Sequence, residues 1–334
     1  MKSTYFIAAF IAFIMLQIAA RGQSTHFSQF YSTPMLINPA STGLTPGPYR
    51  IAANYRTQWS EGSSPYKTFT VSGDAHILKD QIADGNRLGI GLAIVNDKTL
   101  QGAVQTNSIA LSAGYHVSLD ADQIQTVSAG FQGTYNERRI DFSNLQFENQ
   151  FDGTGFDPSL PAGETFGAGK KYYLDVNAGA MYTFALEDKS FFAGAAMYNI
   201  LKKEDSYLTE QFSTPSLFSI ITGGDIDIGF NHSLYFSGNY RQQGNARETT
   251  IGMAYGVFID QEGYTALKLG LWHRLNDAVI PYASLTYNGV QVGCSYDYTT
   301  SGRKTRATAR NAFEISIMYI RPNQDELKRL MPWY

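Results

Sequence analysis

YYLDVNAGAMYTF, Tyr172 to Phe184, separates into two rows when read at every second residue. Tyr172, Leu174, Val176, Ala178, Ala180, Tyr182 and Phe184 are all apolar, with aromatics at both ends of the row. Tyr173, Asp175, Asn177, Gly179, Met181 and Thr183 are mostly polar or small. Successive side chains of a β-strand point to opposite faces, so this segment has one oily face and one wet face. Strands of soluble sandwiches are usually shorter, about 5–6 residues. A longer run with aromatics closing the oily row matches a strand that crosses a bilayer and turns its polar row toward a lumen.

The alternation starts at Tyr49 and recurs to the end of the chain. Candidate strands fall at about 49–59, 65–77, 87–97, 104–118, 123–139, 171–186, 190–199, 216–230, 232–242, 247–260, 263–274, 278–288, 290–300 and 311–320. The fold class is therefore all-β: a transmembrane antiparallel outer-membrane β-barrel of about 14 strands, an even number that puts both ends of the wall on the periplasmic side. Leu88, Ile90, Leu92 and Ile94 against Gly89, Gly91 and Ala93 is a clear case, whereas 65–77 is more polar. Short connections carry Asn231, Asn276-Asp277 and Asn288-Gly289, residues that tolerate the positive φ of tight hairpins. Long connections fall at about 140–170 and 200–215, and loops of this length are usually functional or disordered. With the first strand running outward, both lie on the cell-surface side.

Composition agrees with a membrane barrel. Of 334 residues 43% are hydrophobic and only 16% are charged, where soluble proteins carry about 25%. There are 22 Tyr, 21 Phe and 31 Gly. The formal net charge of −3 gives no support for nucleic-acid binding. Lys2, the nearly apolar run Tyr5 to Ile18 and the small residues around Ala20-Arg21-Gly22 read as a signal peptide cut after Gly22, which implies Sec export; an uncleaved anchor is the competing reading. Cys294 is alone, so no intramolecular disulfide is expected, and it falls in the oily row of a late strand.

Two segments lie outside the wall. Residues 23–48 hold Pro34, Pro39 and Pro46 among Phe27, Phe30, Tyr31 and Leu36. Proline removes donors from a sheet, and aromatics need a place to pack, so a plug in the lumen or a segment packed under the barrel mouth is expected. Residues 321–334 form a periplasmic tail in which Pro322 stops the last strand and DELKRLM can make a helical turn or two. That tail either touches a partner or is disordered.

No enzyme motif is present. The five histidines, His26, His76, His116, His232 and His273, form no metal-ligand spacing. HExxH, CxxC and GxSxG are absent. A barrel lipase would need only a Ser and a His on the wall, but interfacial or lumen-facing histidines are the favoured reading. Neither a cofactor nor a metal is expected. Gly89 and Gly91 lie inside a strand as close-packed wall positions. Arg138-Arg139 and Lys170-Lys171 end predicted strands, which suits lipid head groups. In YRTQW, Arg56 shares the parity of Asn54 and Gln58 and points inward, toward a lumen carboxylate such as Asp74, Asp175 or Asp297; Trp59 falls on the other face.

Several phrases resemble a known family. Phe27-Ser28-Gln29, then Leu36-Ile37-Asn38-Pro39-Ala40 with Gly43, are similar to the opening of the PorP/SprF family of the type IX secretion system. So are Tyr55 to Trp59, Ser72-Gly73-Asp74, Leu269 to Arg274 with its Trp272, Val292 to Tyr298 with its Asp297, and Ala312-Phe313-Glu314-Ile315-Ser316. His273 stands where a Tyr is expected, and Cys294 where a Val or Leu is usual. The blocks run in order over nearly the whole mature chain. The resemblance implies a non-enzymatic outer-membrane barrel of Bacteroidetes-type bacteria that helps secrete or anchor large surface proteins, gliding adhesins among them. Its partners would be a secreted protein carrying a type IX C-terminal secretion domain, periplasmic secretion subunits and outer-membrane lipids. Phe27, Gln29, Asn38, Pro39, Arg56, Trp59, Asp74, Trp272, Arg274, Asp297 and Glu314 are the family-motif positions, structural or partner-binding. An outer-membrane diffusion channel or small-molecule transporter is the alternative function.

Overall fold

A computed structural model describes residues 26–59, 64–78, 82, 85–157, 159–163, 169–201, 214–259, 265–300 and 311–321. The expected signal peptide at 1–22, most of the connection at 200–215 and the expected tail after Arg321 lie outside the described residues. Fourteen strands are found among the described residues: β1 (Tyr49–Gln58), β2 (Tyr66–Ile77), β3 (Arg87–Thr99), β4 (Val104–Ser118), β5 (Gln125–Ile140), β6 (Lys170–Ala185), β7 (Lys189–Tyr198), β8 (Leu217–Asp227), β9 (His232–Gln243), β10 (Ala246–Phe258), β11 (Thr265–Arg274), β12 (Ala278–Tyr287), β13 (Val290–Thr299) and β14 (Ala312–Ile320). Each pairs antiparallel with its sequence neighbours, and β1 pairs with β14, which closes the barrel. Closure leaves no sheet edge, the condition for a sheet to sit in hydrocarbon.

The alternation sorts side chains as the period-two reading requires. Leu174 is 68% exposed and Phe131 66% exposed, while Asn177 and Gln132, on the opposite parity of the same strands, are buried. Outward rows such as Ile90, Leu92 and Ile94, or Leu267, Leu269 and Leu271, make an apolar belt. Aromatic pairs edge the belt: Tyr135 stacks on Tyr172 near one mouth, and Tyr49 meets Tyr319 near the other, each with ring centroids 6.1 Å apart.

The two mouths differ. At one mouth β1 ends and β2 begins, and likewise for β3 and β4, β5 and β6, β7 and β8, β9 and β10, β11 and β12, and β13 and β14; at the other lie the junctions β2–β3, β4–β5, β6–β7, β8–β9, β10–β11 and β12–β13 and both ends of the wall. They are the long-connection mouth and the short-turn mouth. Asn276, Asn288 and Gly289 take positive φ as their turn chemistry requires. At residues 228–231 the positive φ belongs to Gly229, with φ 85, and not to Asn231. Trp59 also departs from its expected place: β1 ends at Gln58, and Trp59 adopts φ 58 beyond it, so strand parity no longer governs its direction.

The lumen is occupied by residues 26–48, here called the strap. A 3-10 turn (Phe30–Ser32), a single helical turn α1 (Pro34–Ile37) and a second 3-10 turn (Pro39–Ser41) carry it inside the wall. Pro34 and Pro39 each sit at the start of a turn, where the missing N–H costs nothing. Phe30, Tyr31, Ile37, Ala40 and Leu44 pack with Met181, Phe192, Ile221, Tyr235, Trp272 and Tyr282 in one buried cluster. The wall makes room with glycines. A Cβ at Gly130 would lie 2.3 Å from the Pro39 backbone, and one at Gly89 would lie 2.0 Å from the Thr42 carbonyl oxygen. Gly43 is itself at φ +74, its Cα against Gly89.

Gly130→Val should therefore expel the strap while leaving the ladder of β5 intact. Limited proteolysis of folded, detergent-solubilised protein should show rapid cleavage within residues 26–48 above a protected barrel. Gly133→Val, at an outward position with nothing within 4 Å, should behave as wild type.

Candidate functional site: a charged lock between strap and wall

The strap is bonded to the wall at both mouths. Near the long-connection mouth, inward-facing Arg56 (β1), Arg274 (β11), Asp297 (β13) and Glu314 (β14) come together, all at most 5% exposed. Arg56 and Glu314 are directly opposite in the β1–β14 ladder. The Arg56 guanidinium donates to Glu314 Oε2 at 3.0 Å and to Asp297 Oδ2 at 2.8 Å. Arg274 Nη1 lies 3.0 Å from Asp297 Oδ2, and its Nε 3.7 Å from Glu248 on β10. The strap enters this network through its backbone. Ser28 N–H and Gln29 N–H donate to the two carboxylate oxygens of Glu314, at 2.8 and 3.0 Å. The Ser28 hydroxyl donates to Asp297 at 2.7 Å and accepts from Arg56 and Arg274 at 2.5 and 2.8 Å. Gln29 donates from Nε2 to the Glu314 carbonyl and accepts from Ser316, and Asn54 donates to Glu314 Oε1.

A second lock stands near the short-turn mouth. Arg50 and Asp74 are cross-strand partners in β1 and β2 and make a bidentate pair, at 2.9 and 2.6 Å. Asp74 also accepts from Gly43 N–H at 2.7 Å, and Arg50 donates to the Ser41 carbonyl at 3.3 Å. His116 on β4 lies between Ser128 Oγ and the Thr42 carbonyl, with ring nitrogens 2.7 and 2.8 Å from them.

Asn38 ties the middle. Its Oδ1 accepts from Ala40 N–H, forming the cap of the following turn. Its Nδ2 donates to the carbonyls of Ala180 and Ala195 in β6 and β7, at 3.0 and 3.3 Å. A Cβ at Gly179 would fall 2.0 Å from Asn38 Oδ1. Gln132 donates to the Met35 carbonyl. On the far side Trp272 donates to Ser237 Oγ at 3.0 Å, and its ring lies 5.3 Å from Tyr31 and 5.5 Å from Tyr282.

Of the family-motif positions, Gln29, Arg56, Arg274, Asp297 and Glu314 thus form one network, Asp74 belongs to the second lock, Asn38 and Pro39 to the central tie, and Trp272 to the aromatic clamp. Phe27 is buried beside Ser28. Trp59 joins none of these contacts and is 44% exposed. Asp297 is the partner of Arg56 among the three carboxylates weighed. Asp74 binds Arg50 instead, and Asp175 accepts from the Val176 and Leu201 backbone at the rim of β6. Arg50, Asn54 and His116 were not among the motif positions, although their inward parity is readable; Ser28 lies in the Phe27-Ser28-Gln29 phrase, outside any strand.

A closed barrel whose outer face is an apolar belt and whose lumen is filled by its own chain is an integral outer-membrane protein. Its solved likenesses are barrels of that kind: a Pseudomonas aeruginosa FadL homologue (9% identity, 86% of this chain, 94% of that one, TM-score 0.50) and a mutant of the TodX monoaromatic hydrocarbon channel (10% identity, 86% and 93%, TM-score 0.51). At such identity they show the fold alone. No curated protein matches the chain. The family model of type IX secretion system membrane proteins, PorP/SprF, matches residues 19–319, and the chain belongs to that family.

The first lock gives a measurable prediction. Arg56→Met leaves Asp297 and Glu314 buried with one cation fewer, and removing one partner of a buried pair costs about 3–5 kcal/mol. The double variant Arg56→Met/Glu314→Leu should recover part of that loss. Urea midpoints of both single variants and the double, read by heat-modifiability on gels, give the cycle; a double-variant loss equal to the sum of the two single losses would contradict the coupling.

Proposed function

We propose that this outer-membrane component of type IX secretion is a plugged, non-enzymatic barrel that helps deliver or retain large cell-surface proteins, gliding adhesins among them. The observation that carries this reading is the strap: it fills the lumen and is hydrogen-bonded at both mouths and in between, so the barrel is built as a solid body with one decorated face. Outer-membrane barrels have short periplasmic turns and longer extracellular loops, which puts the long-connection mouth outside the cell. The chain would reach the membrane by Sec export, its wall in contact with outer-membrane lipids.

The gripping surface on this reading is the connection β5–β6, residues 141–169, together with the connection β7–β8. Among the described residues of the first, Phe151 and Phe156 bridge across a small hairpin and stay half exposed, ring centroids 5.3 Å apart. Its turns are held locally: Asp152 accepts from Thr154 N–H, Thr154 Oγ1 and Gly155 N–H, which keeps that carboxyl below the usual carboxylate range. An ordered loop with exposed aromatics loses little entropy when it docks. The partner it would hold is a secreted protein carrying a type IX C-terminal secretion domain. Periplasmic secretion subunits would meet the short-turn mouth and the tail beyond it.

Deleting residues 145–165 should leave the barrel inserted and heat-modifiable, while the surface protein no longer co-purifies from gently solubilised outer membranes. Undiminished co-purification would contradict the loop assignment.

A further inference from the structure

The wall begins and ends at the short-turn mouth, yet the strap's earliest described residues lie at the opposite one. His26 Nε2 is 3.9 Å from Glu248, near the start of β10. With Leu217, the first residue of β8, and Gln243, the last of β9, His26 lines a shallow recess that also includes Arg241, Arg247 and Glu248. Ser28 and Gln29 bind Asp297 and Glu314, again near the long-connection ends of their strands. From there the chain descends past the Asn38 tie to Thr42 and Gly43, against His116, Gly89 and Asp74. It leaves at the short-turn mouth, where a Cβ at Gly47 would meet the Arg321 carbonyl at 2.1 Å, and turns back into β1 at Tyr49.

We infer that the N-terminal end of the strap is displayed on the long-connection face and is part of the surface that the secreted partner meets. The direction rests on residues 26–48 alone; the partner rests on the function proposed above. Three physical points support it. The described run does not reverse inside the lumen: Ser28 and Gln29 are bonded near one mouth, Asn38 midway and Gly43 near the other. The ends of the run are fixed by ionic groups on opposite rims, and exchanging the rims would bury six charged side chains, Arg56, Arg274, Asp297, Glu314, Arg50 and Asp74, without their strap partners. Finally, the recess around His26 opens beside an exposed cation, Arg247, so the face combines a polar notch with the half-exposed aromatics of β5–β6.

The strap also reaches strands at both ends of the sequence. It binds β1 and β2 through Ser32, Ser41 and Gly43, and β13 and β14 through Ser28 and Gln29. The strap is therefore held by strands on both sides of the β1–β14 seam.

The test uses the full chain in its own outer membrane, with a short epitope inserted after Ser24. Control insertions follow Gly153 in the β5–β6 connection and Asn288 in the turn β12–β13. Labelling of intact cells at both the Ser24 and Gly153 sites, with Asn288 reached only after permeabilisation, is the expected result. Labelling at Gly153 but not at Ser24 in intact cells overturns the inference. Should Asn288 alone be reached in intact cells, the shared face of Ser24 and Gly153 stands and the proposed outward orientation falls. Because an epitope near the signal sequence can impair export, Thr25→Cys in a Cys294→Ala background, labelled with a membrane-impermeant maleimide, gives the same readout with one atom group changed. A photo-crosslinker at Thr25 should capture the retained surface protein; adducts with periplasmic proteins only would overturn the partner assignment.

Discussion

The Glu314 carboxylate is the contact on which the rest of the structure depends. It sits fully buried in a barrel wall, where a charge without partners costs several kcal/mol. Four groups answer it: the Arg56 guanidinium across the β1–β14 seam, the Asn54 amide, and the backbone N–H groups of Ser28 and Gln29. Two of those donors belong to the strap, so the seam that closes the barrel and the segment that fills it satisfy one another. Asp297 extends the same dependence to β13 and β11 through Arg56 and Arg274. A network of this kind holds firmly only when every member is present, which is why the strap reads as part of the core and not as a removable gate.

Filling the lumen has a geometric cost that falls on the wall. Inward positions next to the strap are glycine where the strap backbone comes closest, at Gly89 and Gly130, and where the Asn38 side chain does, at Gly179; they are polar where it offers a carbonyl or an amide, at His116, Gln132 and Asp74. A barrel of about 14 strands is otherwise wide enough to hold an aqueous or ligand-filled channel. Here the interior carries the packing of a globular core, down to the Tyr31, Trp272 and Tyr282 rings in mutual edge and tilted contact. On the proposed function, the rim and its long connections are the surface left for a partner.

How much of this was legible in the sequence follows from which physical rule sets each feature. Period-two alternation is local, so the strands and the direction of Arg56 could be read from residues 49–59 and their like. Register is not local. Nothing near Arg56 in sequence says that its partner across the seam is Glu314, separated from it by 258 positions, or that Asp297 and not Asp175 completes the pair. Parity also stops where a strand stops: Trp59, at φ 58 beyond the end of β1, is no longer directed by it. The turn at 228–231 follows backbone freedom: Gly229 takes the positive φ that Asn231 could have tolerated. The prolines and aromatics of the strap said that it was no strand and needed packing partners. Its route from one mouth to the other became visible only with the wall around it.

The central claim, that the strap makes this barrel a solid docking body, is tested most directly by the electrical behaviour of the purified wild-type protein in a planar bilayer. Filled from mouth to mouth, it should remain silent across both polarities once insertion is verified by heat-modifiability of the reconstituted sample. Reproducible conductance steps from the wild-type protein would contradict the account and turn the reading toward a channel.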